Sequence, residues 1–136
     1  MRTDQDVVLT LYDALQRRDL NDLFAVLHPD CVARVCPGMP EIGGRVLQGP
    51  TEWVTGIWTP IHRLFDVVPV PDEIVRTGPG AVLATGVYRG VARNTGANFE
   101  AWFTHLWRVE AGRVSGLRQI TDTVQWVNAL TPAPVA

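Results

Sequence analysis

The 136-residue chain is long enough for one domain with a substantial core, and 46% of its residues are hydrophobic. Its formal net charge is -2 and its 12 basic residues are spread along the chain, so we expect no nucleic-acid partner. No apolar run approaches the roughly 20 residues that span a bilayer, and residues 1–6 lack the apolar segment of a signal peptide. We therefore expect no membrane partner and a cytoplasmic location.

Missing residue types exclude several chemistries. The chain contains no Lys, which excludes Schiff-base chemistry and the phosphate-binding lysine of a P-loop. Its one serine, Ser115, lies in GRVSGLR and not in the G-x-S-x-G motif of many hydrolases. His28, His62 and His105 stand alone, without metal-binding spacing, so we predict no metal site. Chemistry is left to carboxylates, His, Tyr, Arg or bound water, and we predict no cofactor.

The first half of the chain is predicted to be mainly helical. Apolar residues recur at helical spacing in residues 4–17, and Asp19 is a good N-cap for a second, short helix. The β-branched segment CVARVC, residues 31–36, predicts a strand. A third helix is expected to begin near Gly49 and to be kinked or divided at Pro60.

The second half predicts a sheet of antiparallel strands. Four segments alternate apolar and polar residues and are separated by the turn sequences GPG, RNTGA and EAG. The segments are FDVVPVPDEIVRT (65–77), AVLATGVYRGVA (81–92), NFEAWFTHLWRV (98–109) and RVSGLRQITDTVQWV (113–127). Helices followed by strands indicate an α+β domain with the helices on one face of the sheet. Residues 131–136 have no pattern, and we expect a flexible tail.

Three stretches together resemble one family. YDALQRRDLNDLFAVLHPD resembles an opening helix pair, GRVLQGPTEWV a glycine-led third helix, and HLWRVEAGRVSGLRQITDTV a C-terminal hairpin. These are features of the nuclear transport factor 2-like superfamily, specifically its SnoaL-like and ketosteroid-isomerase-related members. The resemblance implies that residues 1–130 form a single SnoaL-like domain, in which a curved antiparallel sheet forms a cone around an apolar pocket roofed by helices. It also implies a homodimer through the outer sheet face.

Ketosteroid isomerases of this fold use a base Asp and an oxyanion hole made of Tyr and a protonated Asp. The matching positions fall near Val35 for the base and Thr104 for the protonated acid. The tyrosine falls near Leu11, with Tyr12 one residue away. The resemblance therefore does not imply ketosteroid isomerase activity.

SnoaL-like polyketide cyclases keep an acid ten residues after the glycine of the last hairpin, where it transfers protons. Ten residues after Gly112 stands Asp122, so the resemblance implies that Asp122 is the catalytic acid or base. The position of the cyclase histidine is nearest to Arg108, with His105 three residues before it. We expect His105 to serve in packing or in the dimer interface.

The alternation of side chains along the last strand leaves two possible orientations for Asp122. Counting by twos, it shares a face with Ile120, whereas Leu117 and Gln119 share the other face. Alignment of the chain with the ketosteroid isomerases, which we call the isomerase register, assigns that other face to substrate binding. A bulge near Gly116 or just before Asp122 would turn the carboxylate into the pocket. Without a bulge, Asp122 faces away and is a polar residue at the strand end.

The isomerase register also divides the segment 98–109. It assigns Trp102 and Thr104 to substrate binding, together with Glu100, a second candidate catalytic carboxylate. Glu100 and Asp122 together would form a pair of acids suited to epoxide opening. The opposite face, with the aromatic residues Phe99, Phe103, His105 and Trp107, is then the expected dimer surface.

Aromatic residues elsewhere suggest the ligand. Trp53, Trp58 and His62 lie on or after the third helix, which we expect to roof the pocket. Five tryptophans suit a small apolar or polycyclic ligand, although tryptophan also fills ordinary cores. Tyr88 is a candidate catalytic residue that donates to a developing oxyanion, or a half-buried sheet tyrosine.

We predict a cofactor-independent small-molecule enzyme that performs cyclisation, isomerisation or epoxide opening on an apolar metabolite. The alternatives are a non-catalytic dimeric module that binds a hydrophobic ligand, and a cofactor-free oxygenase.

Overall fold

The computed structural model describes residues 2–133, and helices come first in the chain. Residues 134–136, the end of the predicted flexible tail, lie outside the described residues. The elements in the first half are α1 (Asp4–Arg17), α2 (Leu20–Val26), β1 (Leu27–Arg34), β2 (Val46–Gln48), α3 (Gly49–Trp53), a π-helical turn (Val54–Trp58) and α4 (Thr59–Leu64). The second half contains β3 (Phe65–Gly78), β4 (Ala81–Ala92), β5 (Asn98–Glu110), β6 (Arg113–Thr121) and α5 (Thr123–Leu130).

A capping box fixes the start of α1. The Thr3 hydroxyl accepts from the Asp6 amide and the Asp6 carboxylate accepts from the Thr3 amide, each at 3.1 Å. The apolar stripe of α1 is buried against the sheet and includes Leu11 and Tyr12. None of the helices in the described residues is long and apolar enough to cross a membrane.

The six strands form one curved, open sheet in the order β2-β1-β6-β5-β4-β3, and the predicted α+β fold is confirmed. Strands β3 to β6 pair antiparallel with their sequence neighbours. One pair departs from the predicted antiparallel sheet, because β1 runs parallel to β6. These strands are far apart in sequence, and the elements between them provide the long crossover that a parallel pair needs.

The inner face of β4, which faces the helices, carries small residues. Between Ala84 and Ala92 the alternate positions are Gly86, Tyr88 and Gly90, so that Tyr88 is the single large side chain. A Cβ atom on Gly86 would lie 2.3 Å from the Val70 carbonyl oxygen. Only glycine therefore permits this close approach of β3 and β4, and the surrounding small residues leave space beside Tyr88.

Pro60 disturbs the helical segment, as predicted, but the irregularity lies just before it. The π-helical turn precedes Pro60, which stands in the first turn of α4. Because proline has no amide hydrogen, it cannot donate to the Gly56 carbonyl four residues back. That carbonyl accepts from Arg45 Nη1 at 3.5 Å instead.

The strand predicted for residues 113–127 is too long. β6 ends at Thr121, and the helix α5 follows. The helix places the Trp126 ring against Phe65 and Phe99, with ring centroids 5.1 and 5.0 Å apart, and directs its Nε1 to the Thr121 hydroxyl at 3.1 Å. Burial of this indole outweighs the β propensity of the two valines in α5, both of which remain exposed.

Candidate functional site

A small cavity lies between the helices and the inner face of the sheet. It offers about 50 Å³ to the centres of water-sized atoms, so a ligand that fits this conformation is small or slender. Its wall is mainly apolar and contains Leu15, Val35, Met39, Ile57, Trp58, Ile61, His62, Val67, Pro69, Tyr88, His105, Trp107, Leu117, Gln119 and Trp126. Leu15, Trp58 and His62 also line a surface groove beside α2, and we call these three residues the mouth of the cavity.

Five of the residues predicted for the site lie in the cavity wall. Trp58 and His62 come from the helical segment 54–64, Tyr88 from the middle of β4, and Leu117 and Gln119 from β6. Their functional roles stay predictions.

The carboxylates predicted to be catalytic lie elsewhere. Asp122 is exposed at the start of α5 and borders a groove on the outer face of the sheet, which is the face opposite the cavity. Glu100 is exposed on the same face and forms an ion pair with Arg89 at 3.2 Å. The bulge predicted near Gly116 is present, because Arg108 pairs with Gly116 whereas Val109 pairs with Val114. It lies too early in β6 to turn Asp122 inward: Ile120 and Asp122 stay on the outer face, and the Asp122 amide donates to the Trp102 carbonyl at 3.0 Å. The predicted pocket location of Asp122 and Glu100 is therefore wrong.

The predicted orientation of β5 is also wrong. Trp102 is 76% exposed and Thr104 lines the groove on the outer face, whereas Phe103, His105 and Trp107 are buried on the inner face. The physical reason is that three successive inward positions carry aromatic rings, whose burial is worth more than that of Thr104 and one indole. His105 thus belongs to the cavity wall and not to the surface.

Trp53 is a core residue. It is fully buried, its ring centroid lies 6.0 Å from that of Trp58, and it does not line the cavity.

A chain of hydrogen bonds joins four residues of the cavity wall to Tyr12 behind it. Trp107 Nε1 donates to the Tyr12 hydroxyl at 2.9 Å, and that hydroxyl lies 2.6 Å from His105 Nδ1. On the other side of the imidazole, Nε2 lies 2.6 Å from the Tyr88 hydroxyl, which accepts from Gln119 Nε2 at 2.9 Å. Sequence reasoning missed the roles of Tyr12 and His105, although the aromatic residues on both sides of His105 in β5 indicate a buried face.

Burial decides the protonation of this chain. It lowers the pKa of His105 to about 3, so the imidazole is neutral at physiological pH. Burial also raises the pKa of Tyr88 and of Tyr12, and both phenols keep their hydrogens. The chain therefore carries no net charge.

His62 stands apart from this chain, at the mouth. It is half-buried in the last turn of α4, and its carbonyl accepts from Arg93 Nε at 2.8 Å. Burial, followed by the charge of Arg18, lowers the pKa of His62 below its usual value. A neutral imidazole at the edge of an apolar cavity is a suitable proton acceptor.

The cavity wall contains no carboxylate. Within residues 2–133, no cluster of three or more His, Cys, Asp or Glu side chains is placed to hold a metal ion. Two of the three tryptophans in the wall direct their N–H groups elsewhere, Trp107 to Tyr12 and Trp126 to Thr121, and present carbon to the cavity. The titratable groups of the wall are His62, Tyr88 and His105.

Solved structures share this fold over nearly the full chain. A nuclear transport factor 2-like protein of Burkholderia thailandensis is 28% identical, with a TM-score of 0.87, covering 97% of this chain and 100% of that one. IdmH of Streptomyces antibioticus, a candidate polyketide cyclase, is 27% identical, with a TM-score of 0.78, covering 95% and 99% of the two chains. An LEH-like epoxide hydrolase of M. tuberculosis is 19% identical, with a TM-score of 0.73 and coverage of 93% and 88%, and shows likeness of fold alone.

A search of the curated proteins found no match. The family model of the SnoaL-like domain matches residues 8–117, which include most of α1, the helical segment 49–64 and most of the sheet. The chain therefore belongs to the SnoaL-like family of the nuclear transport factor 2-like superfamily.

Proposed function

We propose that the protein is a cofactor-independent enzyme that transfers a proton within a small apolar ketone, in an isomerisation or a cyclisation. The observation that carries this proposal is the pairing of two neutral groups across one apolar cavity. His62 at the mouth is a proton acceptor, and Tyr88 in the β4 wall carries a hydroxyl next to the space a ligand would fill.

In the proposed reaction, the His62 imidazole takes a proton from the carbon next to the ketone. The electron pair of the broken C–H bond moves into the C–C bond of an enolate, and negative charge collects on the ketone oxygen. A hydrogen bond from Tyr88 to that oxygen stabilises the enolate. In an isomerisation the ketone has a neighbouring C=C bond, and His62 returns the proton to the far carbon of the conjugated enolate. In a cyclisation the enolate carbon attacks a second carbonyl of the same molecule, a ring C–C bond forms, and the oxygen of that carbonyl takes the proton back from His62.

The likeness to IdmH supports this class of reaction, since that protein is described as a candidate polyketide cyclase. Epoxide opening by two acids has less support. Asp122 and Glu100, the carboxylates that we expected to form such a pair, are both exposed outside the cavity.

Deuterium exchange tests the proposal without knowledge of the natural substrate. Cyclohexanone is incubated with the protein in D₂O, and loss of the hydrogens next to its carbonyl is followed by NMR. We expect the wild type to accelerate exchange, and we expect His62→Gln to lose most of that acceleration, on the order of 100-fold for a general base.

His28→Gln is the matched control, because His28 lies outside the cavity wall and accepts from the Asp30 amide at 3.0 Å. Exchange no faster than in buffer, or equal exchange by wild type and His62→Gln, would contradict the proposal.

One observation favours a second function, a non-catalytic binding module. The cavity wall lacks the carboxylate that the resemblance to cyclases leads us to expect. A protein that binds cyclohexanone but accelerates no exchange, with that ketone or with larger diketones, would support the binding module.

We also propose that the protein forms a homodimer through the outer face of the sheet. The two most exposed large apolar residues there are Trp102, at 76%, and Ile120, at 55%. Asp72 and Asp122 border the groove beside them, whereas Arg34 and Arg118, which are register partners in β1 and β6, lie towards the other end of the face. A twofold axis through the face would bring the acidic end of one copy to the basic end of the other.

A further inference from the structure

The two hydrogen bonds of His105 indicate which of its ring nitrogens carries the hydrogen. A neutral imidazole has one N–H group and one bare nitrogen, so it donates on one side and accepts on the other. Tyr12 and Tyr88 both lie 2.6 Å from it, one at each nitrogen. One tyrosine therefore donates to His105, and the other accepts from it.

Two neighbouring donors have fixed directions. Trp107 Nε1 can only donate, so the Tyr12 oxygen accepts one hydrogen bond. The Gln119 amide is oriented by the Cys36 amide, which donates to Gln119 Oε1 at 3.4 Å. Gln119 Nε2 therefore faces Tyr88 and donates to its oxygen at 2.9 Å.

If the imidazole hydrogen were on Nδ1, the Tyr12 oxygen would accept from both Trp107 and His105. The hydroxyl hydrogen of Tyr12 would then have no acceptor. Tyr12 is only 2% exposed and does not line the cavity, so no solvent or ligand could accept that hydrogen. A buried donor without a partner costs about 1–3 kcal/mol.

If the hydrogen is on Nε2, Tyr12 accepts from Trp107 and donates to Nδ1, and all its hydrogen-bonding capacity is used. The Tyr88 oxygen accepts from both His105 and Gln119, which leaves the hydroxyl hydrogen of Tyr88 free. Tyr88 differs from Tyr12 in that it lines the cavity. Its hydrogen can be donated to a molecule in the cavity, and no buried donor is left unpaired.

We infer that His105 carries its hydrogen on Nε2 and that Tyr88 presents its hydroxyl to the cavity as a donor only, so that the site selects ligands with an acceptor oxygen such as a ketone. This inference rests on the proposed use of the cavity as a ligand site. Both lone pairs of the Tyr88 oxygen are occupied, so a ligand hydroxyl cannot donate to it. The hydrogen bonds that Tyr88 accepts also strengthen it as a donor.

The position of the hydrogen is measured by NMR of the ¹⁵N-labelled protein, with correlations from the imidazole carbon-bound hydrogens to both ring nitrogens. The signals of His105 are assigned by comparison with the His28→Gln and His62→Gln variants. We expect a pyridine-type shift at Nδ1 and a pyrrole-type shift at Nε2.

Ligand selection is measured with two probes of nearly equal shape, cyclohexanone and methylenecyclohexane, of which only the ketone accepts a hydrogen bond. Binding is followed by tryptophan fluorescence, because three tryptophans lie in the cavity wall. We expect the wild type to prefer the ketone by about tenfold, as one hydrogen bond provides. Tyr88→Phe should show a smaller preference, because the hydroxyl donor is lost while the more distant N–H groups of His105 and Gln119 stay in the wall.

Three results would overturn the inference: a hydrogen on Nδ1, equal affinity of the wild type for both probes, or no binding of cyclohexanone. None of these measurements depends on turnover. A protein with the Nε2 hydrogen and the ketone preference but without deuterium exchange would refute the proposed reaction and leave this inference in place.

Discussion

The side chains of Tyr12 and Trp107 meet at the centre of the core, where the indole N–H donates to the phenol oxygen at 2.9 Å and the two rings cross at 89°. Tyr12→Phe removes the acceptor of Trp107 and the partner of His105 Nδ1 in one step. Because both groups are buried, we expect the free energy of unfolding to fall by about 1–3 kcal/mol, measured by urea denaturation.

Tyr88→Phe makes the same chemical change on the cavity side of His105. Water in the cavity can reach His105 Nε2 and Gln119 Nε2, which lose the Tyr88 hydroxyl as a partner. We therefore expect a smaller loss of stability than for Tyr12→Phe. A larger loss in the Tyr88 variant would show that the cavity does not admit water.

The buried imidazole of His105 makes stability depend on pH. Its pKa is about 3 in the folded chain and about 6.5 in the unfolded chain, so below pH 6.5 the unfolded chain binds more protons. The contribution is fully present above about pH 6.5 and is lost as the pH falls towards 3. Between pH 7 and pH 5, we expect the free energy of unfolding to fall by about 2 kcal/mol from this residue.

Urea denaturation of wild type and His105→Gln across pH 5 to 7 measures this effect, in a range above the titration of most carboxylates. The pKa of His62 is also lowered, so this residue contributes to the pH dependence in the same direction. His62→Gln measures that contribution separately. Equal pH dependence of wild type and His105→Gln would contradict the assigned burial of a neutral imidazole.

Sequence periodicity predicted most of the fold, and its failures have local causes. The strands β3 to β6 and the helices α1 and α2 follow from alternation, helical spacing and caps, which are local features. The helix α5 could not be found this way, because Thr123, Val124 and Val127 favour a strand. It forms because Trp126 packs against aromatic rings that are distant in sequence, and local patterns do not record such contacts.

The alignment to the isomerases assigned the cavity face of β6 correctly, as for Leu117 and Gln119. The same alignment failed in β5, where the aromatic pattern of Phe103, His105 and Trp107 was the better guide to the buried face. The chain of hydrogen bonds joins α1, β4, β5 and β6. Such a network depends on the packing of a helix on the sheet, which spacing in one sequence does not specify.

Asp122→Asn tests the sequence-based assignment of the catalytic acid against the structure. The side chain is exposed and makes no capping hydrogen bond to α5. We expect the rate of deuterium exchange into cyclohexanone to be unchanged. The free energy of unfolding should fall by less than about 1 kcal/mol, because the variant removes a negative charge from the start of α5. A loss of exchange as large as that of His62→Gln would restore Asp122 as the working acid.

Trp102→Glu tests the proposed dimer. A carboxylate at the most exposed large apolar residue of the outer face would be buried without a partner in the interface, so we expect a monomer in sedimentation analysis. Leu9→Glu is the control, because Leu9 is exposed on α1, which lies on the other side of the sheet. A monomeric wild type, or an unchanged dimer in Trp102→Glu, would contradict the proposed interface.

The π-helical turn before Pro60 takes up one residue more than an α-helical turn of the same length. Removing one residue from Val54–Trp58 would let the turn close as α-helix and leave α4 nearly in place. Removing a residue of α4 before His62 would instead bring Arg63 to the position of His62, because each α-helical residue rotates the chain by about 100°. A permanent positive charge would then replace a neutral base beside the apolar wall, so the roof tolerates a change of length in the turn but not in the helix after it.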